Sequence, residues 1–302
     1  MSATTFAQTR FIIYYNSEAT PLSEAVESEY SHVIVSFLGA RINASGQIAL
    51  ILPRNMEEQW SSVPLLQAKG KKVLISFGGG LAKTKDYQVL VGREGELAGL
   101  ISEFVRTRKL DGVDIDFEAS PMLHIERPAD VADGKAFLVT LTKALRKQLP
   151  VGKYSLSHAP QSPYLNTDWH GGPYLDVLKE AGDEIDWITV QYYNNPGQDG
   201  PIKDKVVGKV TDPYKTSYRG LVAMGNVLAW PPEKLVIGKP VYKADAFSGH
   251  VAPEIMIQDI IRPLVDQYGD QFGGIAGWQY SIHTEDHRQW NDNLGKALYQ
   301  IK

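Results

Sequence analysis

Asp111-Gly112-Val113-Asp114-Ile115-Asp116-Phe117-Glu118 alternates strictly between apolar and acidic residues from Gly112 onward. Successive side chains of a β-strand point to opposite faces, so Val113, Ile115 and Phe117 share one face and Asp114, Asp116 and Glu118 share the other. The strand rise sets successive acidic Cα atoms about 6 to 7 Å apart. An apolar face of this kind packs on helices. The acidic face then lines an interior, where neighbouring carboxylates cannot all ionise and at least one proton is shared. Such a line of acids is costly, and it persists only where it has a use.

Working outward, runs of β-branched and aromatic residues recur: Phe11 to Tyr15, Val33 to Leu38, Val73 to Phe77, Tyr154 to His158, Ile185 to Tyr192, Leu235 to Val241 and Gly274 to Trp278. With Gly112 to Phe117 they make eight candidate strands. The intervening segments have helical periodicity, as in Leu97, Leu100, Ile101, Phe104 and Val105, in Phe137, Leu138, Leu141, Leu145 and Leu149, and in Leu294, Ala297, Leu298 and Ile301. Strand then helix, repeated eight times, is the (β/α)8 TIM barrel pattern, an α/β fold. No linker or composition shift divides the chain, so residues 1–302 read as one domain. A sixth helix is expected over Ser217 to Leu228, despite Gly220 and Gly225, and a seventh despite Pro263. Ser120 to Pro128 and Asn194 to Lys215 follow strands directly and read as the loops that build the active-site face of a barrel.

Three readings of the carboxylates compete. A solvated acidic edge explains neither the apolar alternate face nor the place in the fourth of eight strands. A divalent-metal loop of the EF-hand kind needs a central glycine and a turn, which a strand does not supply. Glycosidic acid–base chemistry needs a carboxylic acid of raised pKa at the C-terminal end of a barrel strand, tuned by adjacent carboxylates, and that is what the segment offers. No metal or cofactor is expected.

Asp111-x-x-Asp114-x-Asp116-x-Glu118 resembles the Asp-x-x-Asp-x-Asp-x-Glu motif of glycoside hydrolase family 18, the chitinases and endo-β-N-acetylglucosaminidases. Ser76-Phe77-Gly78-Gly79 resembles the family's Ser-x-Gly-Gly element. Gln191-Tyr192-Tyr193-Asn194 resembles the Gln-x-Tyr-Asn of its short class III type, which Ala159-Pro160-Gln161 also fits. Trp278 resembles the tryptophan that floors the sugar site. The likeness spans the third to the eighth strand and is loose in the first two.

The resemblance implies that Glu118 is the general acid and later the base toward water. It implies that Asp116 orients the substrate's N-acetyl group, that Asp114 shares a proton with Asp116, and that Tyr193 hydrogen-bonds the acetamido oxygen. The nucleophile is then that oxygen itself, giving an oxazolinium intermediate and retention of configuration. Trp278, Gln191, Asn194, Gln161, Tyr14 and Phe37 are the candidate substrate-binding residues, with core packing as the ordinary alternative for Trp278, Tyr14 and Phe37. Asp111, Ser76, Gly78 and Gly79 are candidate structural supports. Non-proline cis peptides at Ser36-Phe37 and Trp278-Gln279 also follow from the likeness. The expected activity is endo-hydrolysis of β-1,4-linked N-acetylglucosamine in chitin or chitooligosaccharides. Cleavage of the chitobiose core of N-glycans is the alternative, and a catalytically inactive carbohydrate-binding protein is the contrasting class. There is too little chain between the sixth strand and Trp278 for the insertion domain of longer family members.

Other signals are weaker. Thirty-one basic residues against 35 acidic ones, net charge −4, leave no electrostatic track for nucleic acid. The 43% hydrophobic and 22% charged content suits a full globular core. With zero cysteines there is no disulfide, thiolate metal site or cysteine nucleophile. Gly78, Gly79 and Gly80 follow a strand, but Lys83 stands where a dinucleotide fingerprint needs glycine. His283 and His287 lack the His-Glu-x-x-His arrangement and read as a solvated loop, and His158 reads as a rim residue. A monomer without membrane contact is expected. Met1 to Arg10 has no basic region leading into an apolar one, which fits a cytoplasmic protein or a processed secreted form.

Overall fold

A computed structural model of the chain describes residues 9–16, 20–223, 228–281 and 284–300. Its sheet contains β1 (Arg10–Asn16), β2 (His32–Ile42), β3 (Ile48–Ile51), β4 (Lys72–Gly78), β5 (Gly112–Asp116), β6 (Ser155–His158), β7 (Trp187–Gln191), β8 (Leu235–Pro240) and β9 (Gly274–Trp278). Eight of these are parallel, and β1 pairs with both β2 and β9, which closes the barrel. The ninth, β3, is antiparallel to the end of β2. Among the described residues no strand lies outside this sheet.

Alternation along each strand separates two cores. Phe11, Ile13, Val33, Val35, Val73, Ile75, Val113, Ile115, Val190 and Ile237 face outward onto the helices. Ile12, Tyr14, Ile34, Leu74, Trp187, Val236 and Ala276 fill the barrel. The bottom is closed by Trp187, with Arg10 over its ring at 4.7 Å and His32 edge-on at 5.3 Å. Burial, then the Arg10 and Lys72 charges, push His32 down to about 3, so it is a neutral plug.

Register does the rest of the positioning. Asp114 lies opposite Ser76 on one side and Ser157 on the other, so all three point inward at one level. Gly78 lies opposite Asp116, and Tyr14 opposite Trp278. His158 pairs with outward-facing Ile115, which puts it behind the barrel and corrects its placement on the rim. It is fully buried between Tyr174 Oη (2.6 Å) and Thr142 Oγ1 (3.1 Å).

The expected helices form at Glu94–Thr107 and Gly134–Gln148, the second capped by the Asp133 carboxylate accepting from Lys135 and Ala136 N–H. Pro263 does not break its helix. The segment Pro253–Tyr268 stays helical by widening into a π-helical stretch over Met256–Ile261, just ahead of the proline. The sixth helix is shorter than expected, Tyr218–Val222, and Gly225 lies outside the described residues. The β2–β3 hairpin was not anticipated; Asn43 Oδ1 accepts from Ser45 and Gln47 N–H to make its turn. Both expected non-proline cis peptides, Ser36-Phe37 and Trp278-Gln279, occur.

Candidate active site

Three hydroxyls converge on Asp114: Ser76 Oγ (2.7 Å) and Tyr14 Oη (3.2 Å) donate to Oδ2, and Ser157 Oγ (2.7 Å) to Oδ1. Complete burial pushes this carboxyl up to about 6, and the three donors limit the rise by favouring the anion. The hydroxyls come from β1, β4 and β6, so closing the barrel is what assembles them.

Asp116, one step up the strand, has no such ring of hydroxyls. Its Oδ1 accepts from Gln191 Nε2 at 2.8 Å, and it hydrogen-bonds with Glu118. Burial first, then the charges of Glu118 and Asp114, hold its pKa well above the carboxylate range. The same contact lowers Glu118 against the rise that its burial brings, so the two carboxyls are coupled and both stand above the ordinary carboxylate range. Glu118 stands past the strand end, half-buried, and its Oε2 accepts from Gln161 Nε2 at 2.9 Å. Burial also raises Glu118, opposed by its hydrogen bonds with Gln161, Asp116 and Gln191.

Backbone closeness at the end of β4 explains the glycines. Gly79 N–H donates to Asp116 O at 2.8 Å, and a Cβ on Gly78 (φ +119°) would meet that oxygen at 2.1 Å. A Cβ on Gly79 (φ +85°) would enter the Phe37 ring at 2.6 Å.

Above the acids, Tyr14, Asp116, Thr189, Gln191, Tyr193, Gly238, Ala276, Gly277 and Trp278 line a pocket. Trp278 stacks on Phe37 (centroids 5.6 Å, 29°), meets Tyr14 edge-on at 6.2 Å, and is tethered by its Nε1 to Asp245 O at 3.1 Å. The indole is partly exposed and lines the pocket. The Tyr193 phenol is 9% exposed, and burial followed by the Asp116 charge keeps it neutral. A larger groove of about 600 Å³ continues from Trp278, Phe37 and Gly80 toward Arg41, Ile51, Leu52 and Arg54 at the hairpin.

Asn194 and the expected support Asp111 are not among the residues lining the pocket. Asn194 is exposed at φ +57°, and its Oδ1 accepts from Phe247 N–H, so it fixes a loop corner. Asp111 sits at the opposite end of β5, accepting from Val73 N–H and Gln67 and paired with Lys72. Thr189, Gly238, Ala276 and Gly277 were not anticipated, though inward alternation from Gln191 and from Trp278 would have found Thr189 and Ala276. Tyr87, whose hydroxyl reaches Asp116 O at 3.5 Å, comes from a short helix after the glycines and leaves no such signal. Among the described residues no three His, Asp or Glu side chains are grouped as metal ligands. His283 lies outside them, and His287 is buried beside Thr284 and Asp245, which corrects its reading as solvated.

Comparison with known proteins follows the same geometry. The profile of the glycosyl hydrolases family 18 matches residues 10–290. The crystal structure of a GH18 chitinase from Pseudoalteromonas aurantia is 33% identical, with a TM-score of 0.82 over 96% of this chain and 100% of that one. A chitinase of Enterococcus faecalis is 27% identical over 87% of this chain, and Chitinase D of Niallia circulans 26% over 82%. This chain spans 74% of the former and 50% of the latter. The family match runs from the first barrel strand into the last helical segment and is joined by a solved relative alike over its whole length, so the chain belongs to glycosyl hydrolase family 18.

Proposed function

We propose that this chain hydrolyses β-1,4 bonds following N-acetylglucosamine in chitin or chitooligosaccharides, by substrate-assisted, retaining catalysis. The observation that carries this reading is the single file of Asp114, Asp116 and Glu118, with Asp116 the sole carboxylate among the described residues that line the pocket. A two-carboxylate mechanism needs a nucleophile across the scissile bond from the acid. Here the second carboxyl shares the strand of the first, so the sugar's own acetamido oxygen takes the nucleophile's place.

Glu118 protonates the glycosidic oxygen. Asp116 turns its carboxylate to the acetamido N–H, orienting the carbonyl and stabilising the positive charge that develops on the oxazolinium ring. Tyr193 donates to the acetamido oxygen from the opposite wall, and Trp278 stacks on the sugar face. Asp114, fixed by three hydroxyls, receives the proton that Asp116 gives up. Glu118, now ionised, draws a proton from the water that opens the ring. The bond to the leaving sugar breaks with inversion, and water restores the configuration.

The groove continuing past Phe37 to the hairpin supports cleavage within a chain, and the absence of strands outside the barrel sheet among the described residues supports an open cleft and a single catalytic domain. The test is a mass-spectrometric product panel on chitotetraose, chitopentaose, a high-mannose N-glycan and a complex N-glycan. Cleavage of the chitin oligomers alone supports the proposal. Release of N-glycans with the oligomers intact would make the chain an endo-β-N-acetylglucosaminidase, and no turnover of any would return it to the inactive carbohydrate-binding class.

A further inference from the structure

β8 breaks its own pattern at one residue. Leu235 and Ile237 face the outer core while Val236 and Gly238 face the barrel, so the next outward position should be apolar. It is Lys239, 0% exposed. Burial lowers its pKa to about 7, with the Asp199 charge opposing. An ammonium held in an apolar layer costs stability that a methionine of similar length would not, so its contacts are informative.

Those contacts gather on one segment. Lys239 Nζ donates to Tyr192 O (2.7 Å), the carbonyl of the peptide that leads into Tyr193, and to Asp199 O (2.9 Å). On the far side of Tyr193, Asn195 Nδ2 donates to Tyr193 O at 2.7 Å. Asp199 in turn accepts from Ser248 Oγ (2.6 Å) and Asn195 N–H (3.3 Å), which ties the segment's ends together. Gly249 presses on the same peptide, where a Cβ would meet Tyr193 Cα at 2.6 Å. The peptide bonds before and after Tyr193 are therefore each held by a side-chain donor, and the tyrosine projects from between them into the pocket.

We infer that Lys239 is a positioning residue for Tyr193, acting with Asn195 as a clamp on the two peptides that aim the phenol at the acetamido oxygen. The inference rests on the proposed role of Tyr193. A general stiffening role for the lysine predicts a different result, because its loss would then cost the same whether or not the phenol is present.

The test is a double-mutant cycle on chitotetraose with Lys239→Met, Tyr193→Phe and the pair, with thermal unfolding of each. Lys239→Met is expected to lower kcat about tenfold in the native background, with KM changed less than about threefold, and to lower kcat less than about twofold when Tyr193 is already phenylalanine. Asn195→Ala is expected to show the same non-additivity at smaller size, and it decides the matter if Lys239→Met does not fold. Equal losses in both backgrounds, or no loss in the native one, would overturn the inference while leaving the role of Tyr193 standing. Native kcat in Tyr193→Phe alone would overturn that role and the inference with it.

Discussion

The two ends of β5 hold carboxylates in opposite settings. At the lower end Asp111 accepts from Val73 N–H (2.9 Å) and Gln67 Nε2 (2.8 Å) and pairs with Lys72 (3.0 Å), so its charge is matched by donors and a cation. At the upper end Asp116 and Glu118 are in contact and each accepts from an amide donor, Gln191 and Gln161, with no Lys or Arg contact recorded to either among the described residues. Between them Asp114 is anchored by three hydroxyls. The lower acid ties strands together. The upper pair is held in a state that water would relieve, and a site that has to move a proton needs that tension. Stability carries the cost: between 3.8 and about 6 the folded chain keeps a proton on Asp114 that the unfolded chain has lost. This group's contribution is therefore greatest in acid and fades as pH rises through about 6.

The comparison is broken most severely at the upper end. Glu118→Gln keeps the shape and removes the transferable proton, and steady-state kinetics on chitotetraose should show kcat down by about 10³-fold with oligosaccharide binding, measured by calorimetry, retained. Turnover near the native rate would remove Glu118 from the role of acid.

A gentler change sharpens it. Gln161→Leu deletes the donor that most favours ionised Glu118. The Glu118 pKa should then rise further, and since the acid works protonated, the alkaline limb of kcat/KM should move to higher pH. An unmoved or lowered limb would mean that another group sets it.

The smallest effect on catalysis belongs to the lower end. Asp111→Ala leaves the Val73 N–H without its acceptor and should lower stability by about 1–3 kcal/mol in denaturant unfolding. Its kcat should stay within about twofold of native, because the site is remote from it along the strand. A large loss of kcat at unchanged stability would erase the distinction between the two ends.

Much of this division was legible before any coordinates. The alternation of Gly112 to Glu118 specifies which side chains enter the barrel, and β-branched runs specify the strands, since both are local properties of the chain. The likeness of the Ser-Phe-Gly-Gly and Gln-Tyr-Tyr-Asn elements to family motifs pointed to Ser76, Gly78, Gly79, Gln191 and Tyr193. What the sequence did not specify depended on register or on long-range packing. His158 is polar yet points outward, because its pairing with Ile115 and not its polarity sets its face. Asn194 adopts a left-handed corner that turns its amide toward Phe247. The three hydroxyls on Asp114, from Ser76, Ser157 and Tyr14, come from three other strands and leave no mark in the acidic motif itself. The hairpin, Tyr87 and the Lys239 clamp are likewise products of tertiary contact.

The central claim is that the nucleophile belongs to the substrate. Chitotetraose, the glucosamine tetramer and cellotetraose share one backbone linkage and differ only in the group on carbon 2. Incubated side by side with the protein and followed by chromatography of the products, chitotetraose should be cleaved, and the other two should remain intact because neither offers a carbonyl oxygen to the anomeric carbon. Efficient cleavage of cellotetraose or of the glucosamine tetramer would show that a group of the protein attacks instead, and would contradict the substrate-assisted mechanism outright.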